Sequence, residues 1–203
     1  MSLTDVPEQW PVVSSAELLR SRLITVRADK VRMPDNQIAE REVVLHPGAV
    51  AVLALDETDQ ILLIRQYRHP VGRLLWEIPA GLRDVAGEDP WVTAQRELVE
   101  EAGYRARDWR VLADYFSSPG FSTERLRIYL ARDLELVPRA ERDFVPEHEE
   151  AFLLTSWLPL DDAVGLVLAG ELHNGVTALA VLAGYAARSG GFARLRPADA
   201  PET

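Results

Sequence analysis

Residues 80–104 read AGLRDVAGEDPWVTAQRELVEEAGY, and their reading decides the fold. Asp89-Pro90 marks a helix start, because an aspartate side chain can cap the free N–H groups and proline suits the first helical position. Trp91, Ala94, Leu98 and Ala102 recur at helical spacing and predict a ridge against the core. Gly103 predicts the stop, as glycine does just past the last turn. Glu97, Glu100 and Glu101 stand three and four residues apart and fall on one side of this helix. Carboxylates about 6 Å apart repel by roughly 3 kcal/mol per pair at an effective dielectric of 20. A divalent cation turns that repulsion into binding, and magnesium prefers hard oxygens, often bridging a few carboxylates to substrate phosphates. Taken alone, a row of glutamates describes many solvated helix faces, so the neighbouring residues carry the decision.

Outward from the helix, the chain alternates between strand and helix signals. Residues 1–16 read as loosely ordered. Leu18 to Val31 and Glu40 to Leu45 mix apolar and charged residues like exposed strands, which predicts a small β subdomain over 1–46 and a main domain over 47–203. The apolar content of the small subdomain is low, which predicts burial against another chain. Ala49 to Leu55 is a continuous apolar run that predicts a buried strand, and Ile61 to Gln66 resumes after a polar turn, so the two read as a hairpin. Trp76 to Pro79 is a short extended piece. Further strands are expected at Arg110 to Phe116, Arg125 to Ala131 and Phe152 to Trp157, and helices at Pro159 to Leu168 and Gly175 to Ala187. The sum is an α/β class, an α/β/α sandwich built on a mixed sheet.

Gly81, Glu88, Arg96-Glu97, Glu100-Glu101 and Gly103-Tyr104 resemble the Nudix box. The seven-residue spacer Asp89 to Gln95 and everything after it match. The first spacer, Leu82 to Gly87, has six residues, one more than the usual box, and bears on whether Glu88 can brace Arg96 as the family's first glutamate does. LIRQYRHPVGRLLWEIPAG (Leu63 to Gly81) resembles the segment leading into the box in ADP-ribose pyrophosphatases. Pro119, fifteen residues beyond Tyr104, is similar to the mark of that subgroup, in its actinobacterial type.

The resemblance implies magnesium-dependent hydrolysis of ADP-ribose to AMP and ribose 5-phosphate, with manganese as an alternative ion. It implies Glu97 and Glu101 as metal ligands, Glu100 as a third, and the backbone carbonyl of Ala80 as a further donor. Arg96 belongs to the catalytic set, Arg68 in QYR matches a substrate-contacting arginine, and Arg65 and Pro119 join it on the substrate side. Glu150 in EHEEAF matches a loop glutamate proposed as general base, with its neighbour Glu149 left open for the same role, and Glu124 is expected near the metals. A homodimer with exchange of N-terminal strands is implied, each site borrowing residues from its partner. The family stacks the adenine on aromatics of that subdomain, where Trp10 is the only aromatic residue before Tyr67. Other Nudix substrates remain open: NADH, nucleotide sugars or oxidised nucleotides. So does a silent nucleotide sensor, which could dispense with the Glu97/Glu101 pair.

Composition narrows the remaining classes. The formal net charge is −10, from 22 Lys plus Arg against 32 Asp plus Glu, so nucleic acid is repelled and no nucleic-acid partner is expected. The chain has no cysteine, which excludes disulfides and thiolate metal sites and fits a cytoplasmic enzyme. MSLTDVPEQW lacks the pattern of a signal peptide, and the longest uncharged apolar stretch, Val176 to Ala187, is too short to span a bilayer, so no membrane partner is expected. Four histidines, at 46, 69, 148 and 173, lack zinc-ligand spacing. Arg73 reads as a surface arginine, SPGF as a polar turn rather than a nucleophile, and His173-Asn174-Gly175 as a turn into the last helix.

Overall fold

The computed structural model describes residues 3–142 and 154–202. The chain divides into two compact units: residues up to Pro47 together with Phe116–Glu124, and Gly48–Tyr115 together with the chain from Arg125 onward.

The first unit is an antiparallel meander of β1 (Val12–Arg20), β2 (Thr25–Arg32) and β3 (Ile38–Leu45), in that order. Strand β1 begins inside the stretch read as loosely ordered. Pairing from Val12↔Val31 to Arg20↔Thr25 gives its backbone partners that local composition does not advertise, and Ser15 Oγ donates to Asp29 at 2.6 Å. The single strand expected from Leu18 to Val31 is broken by a turn, closed by Ser21 N–H donating to Ile24 O at 2.9 Å. The loop Ser117–Glu124 lies along β3: Val44 N–H donates to Phe121 O at 2.7 Å and Thr123 N–H to Val44 O at 2.9 Å.

In the second unit follow β4 (Ala49–Ala54), β5 (Gln60–Arg68), β6 (Arg73–Glu77), β7 (Ala80–Leu82), α1 (Pro90–Glu97), β8 (Tyr104–Phe116), β9 (Arg125–Leu136), β10 (Leu154–Pro159), α2 (Leu160–Leu168), α3 (Gly175–Arg188) and β11 (Arg196–Pro197). One sheet has the order β11-β8-β9-β4-β7 and the other β10-β5-β6. Strand β4 runs parallel to β9 and antiparallel to β7, so the first sheet is mixed.

Strand β4 is buried along its whole length, and its alternating side chains serve two cores. Val50, Val52 and Ala54 pack with Ala94, Leu98 and Ala102 of the carboxylate helix. Ala51 and Leu53 pack with Leu160 and Ala163 of α2 and Ala180 and Val181 of α3. Helices therefore cover both faces, giving the α/β/α sandwich. The hairpin expected from β4 and β5 reduces to a single bridge, Leu55↔Ile61. Beyond it β5 pairs with β6 and β10, because both edges of β4 are taken by β7 and β9. Among the described residues, no helix is long and apolar enough to cross a membrane.

Candidate active site

The helix starts as its sequence demands. Asp89 accepts a hydrogen bond from Trp91 N–H at 2.9 Å, and Pro90 fills the first position. Past Glu97 the helix widens into a π-helical turn, Leu98–Ala102, which carries Glu100 and Glu101. Such turns recur at functional sites. Gly103 ends it in the left-handed region at φ 75°, with its N–H on Leu98 O and Val99 O.

The glutamates do not form one uniform row. Arg96 Nη1 donates to Glu97 Oε1 at 2.8 Å and to Glu100 Oε2 at 3.0 Å, while Nη2 stands 3.5 Å from Glu88 Oε2. Glu88 also accepts from the buried Thr93 hydroxyl at 2.7 Å. Partial burial works against the charge on Arg96, but the three carboxylates hold its guanidinium above its ordinary value. Glu88 thus reaches Arg96 despite the longer spacer. The extra length is taken up after β7, where Arg83 N–H donates to Gly48 O at 3.1 Å, Gly87 adopts φ 80° and Glu88 N–H returns to Val85 O at 3.1 Å. Arg83 is also tied to Glu202 near the C-terminus at 2.9 Å, a contact that sequence reading did not anticipate.

Two carboxylates converge on the Ala80-Gly81 dipeptide. Glu101 Oε2 accepts from Ala80 N–H at 2.8 Å. The carboxyl group of Glu97 lies against Gly81 so closely that any Cβ there would overlap it. Glycine is therefore required at position 81 for the close approach of a charged group. The dipeptide is itself fixed on both sides: Ile78 N–H donates to the buried Thr177 Oγ1 on α3 at 3.0 Å, and Val52 N–H donates to Pro79 O at 2.8 Å. Thr177 has no local signature, since only the packing of α3 brings it there.

Glu97 and Glu101, with the backbone oxygen of Ala80, could hold a divalent cation that takes hard oxygen ligands, and the cradle at Gly81 leaves room for the Glu97 carboxylate rather than a side chain. Among the described residues, no three Asp, Glu or His side chains stand together as a ready-made metal site. The fit thus rests on two glutamates and the backbone, with Glu97 and Glu100 both also bonded to Arg96.

Other expected site residues have defined neighbours. Arg68 forms a bidentate pair with Glu77, Nε to Oε1 at 2.9 Å and Nη2 to Oε2 at 2.7 Å, and the Glu77 side chain is only 3% exposed. Nothing in the sequence singled out Glu77, because a glutamate in a short strand is unremarkable until its burial is known. The Arg65 guanidinium lies 5.8 Å from the centre of the Trp76 ring. Pro119 is exposed at the turn Ser118–Phe121, within the first unit. Glu124 belongs to the same unit, accepting from Ser117 Oγ and standing 3.7 Å from His46 Nδ1. Trp10, 43% exposed, donates from Nε1 to Glu8 at 2.6 Å. Asn174 caps α3 by accepting from Thr177 N–H at 2.9 Å, which makes His173-Asn174-Gly175 a helix entry. Glu147, Glu149 and Glu150 lie outside the described residues.

The chain is similar to known proteins over most of its length. The profile of the NUDIX domain matches residues 45–178, and that of the nucleoside diphosphate sugar hydrolase N-terminal domain matches residues 10–44. The chain is similar to the ADP-ribose pyrophosphatase of Mycobacterium tuberculosis (strain ATCC 25618 / H37Rv), 48% identical over 190 residues, or 94% of this chain and 89% of that protein. It is 35% identical to the ADP-ribose pyrophosphatase of Bacillus subtilis (strain 168) over 170 residues, 83% of this chain and 89% of that protein. A solved structure of an ADP compounds hydrolase superposes with a TM-score of 0.76 at 24% identity, covering 93% of this chain and 98% of that one, a likeness of fold. Nudix hydrolases are in general dependent on divalent metal ions. A profile running through the helix, its capping glycine and the Ala80-Gly81 cradle, joined to relatives aligned over most of their length, means that this chain belongs to the NUDIX family of hydrolases.

Proposed function

We propose that the chain hydrolyses the pyrophosphate bond of ADP-ribose, giving AMP and ribose 5-phosphate, with magnesium as its cation. The observation that carries the reading is the pair of carboxylates, Glu97 and Glu101, held against Ala80-Gly81 in a chain two of whose relatives, aligned over most of their length, are named for that substrate. When bound, the divalent ion neutralises the diphosphate and offsets charge that builds on its oxygens. Glu97 and Glu101 supply the anionic ligands, with Glu100 as a third and the Ala80 carbonyl as a backbone donor. Arg96 holds Glu97 and Glu100 in place through its guanidinium. Arg68, oriented by its buried partner Glu77, offers positive charge to the substrate, with Arg65 and Pro119 on the same side of the reading. Water attacks one phosphorus, the bridging P–O bond breaks, and the proton of the water passes to the carboxylate of Glu150. Purified protein with magnesium and a panel of ADP-ribose, NADH, nucleotide sugars and oxidised nucleotides is expected to release AMP fastest from ADP-ribose. Faster turnover of another member would reassign the substrate and keep the family.

The functional unit of this reading is a homodimer that exchanges N-terminal segments. Every residue of β1 is exposed, including the apolar Val12, Val13, Leu18 and Leu19. A three-stranded sheet with one uncovered apolar strand gains by packing on a second copy. Sedimentation at assay concentration is expected to give a dimer, and a fully active monomer would contradict it. The reading also includes a cytoplasmic location, checked by fractionating cells of the source organism.

A further inference from the structure

The Ala80-Gly81 cradle sits where the chain leaves one sheet and enters the other. Strand β6 ends its pairing with β5 at Ile64↔Glu77, and β7 begins its pairing with β4 at Ala51↔Ala80. Ile78 and Pro79 lie between the two ladders. Pro79 has no N–H to give, and its carbonyl accepts from Val52 N–H at 2.8 Å. Ile78 is 1% exposed, so its N–H needs a partner inside the protein. That partner is Oγ1 of the fully buried Thr177 on α3, at 3.0 Å. The threonine is itself set by the start of α3, where its own N–H donates to Asn174 Oδ1 at 2.9 Å. Ala180 and Val181 of the next turn sit in the core and fix the helix there.

Strand β7 is the edge of its sheet, so every second residue turns its backbone to β4 and the others turn theirs away. Val52 N–H on Pro79 O and Arg83 N–H on Gly48 O mark 79, 81 and 83 as the positions bonded to β4. Ala80 falls between them. Its N–H points away from β4 and meets Glu101 Oε2 at 2.8 Å. Its carbonyl faces the same outer side, because a strand residue turns both backbone groups one way. A register moved by one residue would exchange the two sets and turn the Ala80 carbonyl into the sheet. Proline at 79 leaves the ladder one bond short at its entry, and the bond from Ile78 N–H to Thr177 holds the chain one residue earlier.

We infer that Thr177 is a positioning residue of the cation site: by holding Ile78 N–H it fixes the phase of β7 that presents the Ala80 carbonyl beside Glu101. This role rests on the reading of Glu97, Glu101 and that carbonyl as cation ligands. Thr177 itself touches neither cation nor substrate and acts through the backbone of residues 78–80. Groups that orient a metal ligand in this way typically change metal affinity by roughly 10- to 100-fold when lost.

The test is manganese binding to the full chain without substrate, read by electron paramagnetic resonance, in the parent and in Thr177→Val, Thr177→Ser and Glu101→Gln. Manganese takes the same carboxylate and carbonyl oxygens as magnesium. Thr177→Val keeps the shape of the side chain and removes the acceptor. It is expected to weaken manganese binding by roughly 10-fold and to raise half-saturating magnesium in ADP-ribose hydrolysis by a similar factor. KM for ADP-ribose at saturating magnesium is expected to stay near the parent. Thr177→Ser keeps the hydroxyl and is expected to bind manganese as the parent does. Parental affinity in a folded Thr177→Val overturns the role, even beside a lowered unfolding temperature, because a purely structural residue gives that pattern. Equal weakening in Thr177→Ser and Thr177→Val also overturns it, since the acceptor is then not what matters. If Thr177→Val does not fold, Thr177→Ala is read against Thr177→Ser by the same criterion. Loss of the fold in both Thr177→Val and Thr177→Ala overturns the role by assigning Thr177 to the core. Weak binding in Glu101→Gln beside parental binding in Thr177→Val leaves the cation site in place and overturns the role of Thr177 alone. Parental binding in Glu101→Gln removes the cation site as read, and the role of Thr177 with it.

Discussion

Glu97→Gln and Glu101→Gln are each expected to lower ADP-ribose turnover by about a thousandfold, the equivalent of about 4 kcal/mol in the barrier. Losing one electrostatic partner of a transition state costs a similar amount in other enzymes, roughly 10²- to 10³-fold. The fold should persist in both. At position 97 the amide oxygen can still accept from Arg96, which now donates at 2.8 Å. At position 101 it can still accept from Ala80 N–H, now at 2.8 Å. What glutamine lacks is the negative charge that a divalent cation needs. The measurement is AMP release at saturating substrate across a magnesium series, with thermal unfolding recorded in parallel. Near-parental rates in both variants would take the two carboxylates out of the metal site. A loss that tracks a collapsed unfolding transition would assign them to the fold instead.

The second large effect concerns the proton. Carboxylates engaged by a cation are poor acceptors, so a separate carboxylate near the attacking water is preferable as base. Glu150→Gln is expected to lower kcat by roughly 10²- to 10⁴-fold, the range of general acid–base catalysis. KM and magnesium affinity should stay close to the parent, because a lost proton transfer acts on the transition state alone. Glu149→Gln should be mild. An unchanged kcat in Glu150→Gln, or a larger loss in Glu149→Gln, would move the role to Glu149 or to Glu97.

Much of the site could be read in the sequence because its parts are local. Cap, ridge, glutamates and stop all fall within Asp89 to Gly103, and helix geometry relates such residues without reference to the rest of the chain. The longer first spacer could not be judged that way. A loop of given length can close in several conformations, and only the Gly48 and Val85 contacts show how the extra residue is absorbed while Glu88 keeps its hold on Arg96. Strand pairing was similarly beyond local reading. Ala49 to Leu55 and Ile61 to Gln66 carry a hairpin signal, yet apolar runs buried on both faces do not state their neighbours. The partners β7 and β9 come from distant sequence.

The sequence by itself determined the chemistry of the helix: which carboxylates it carries, where it begins and ends, and that position 81 bears a glycine. These follow from side-chain identity and a fixed helical repeat. Tertiary structure alone decided that Glu101 reaches back to Ala80 and that Glu97 fills the space over Gly81. It alone buried Glu77 behind Arg68, brought Thr177 of α3 to Ile78 and laid Arg142 on Gly103. The Glu101–Ala80, Glu97–Gly81 and Arg68–Glu77 contacts join residues on different strands and helices, and all five contacts span from 9 to 99 positions in the chain. Their geometry depends on how β4 is sandwiched between its two cores, a packing constraint that no local window of sequence contains.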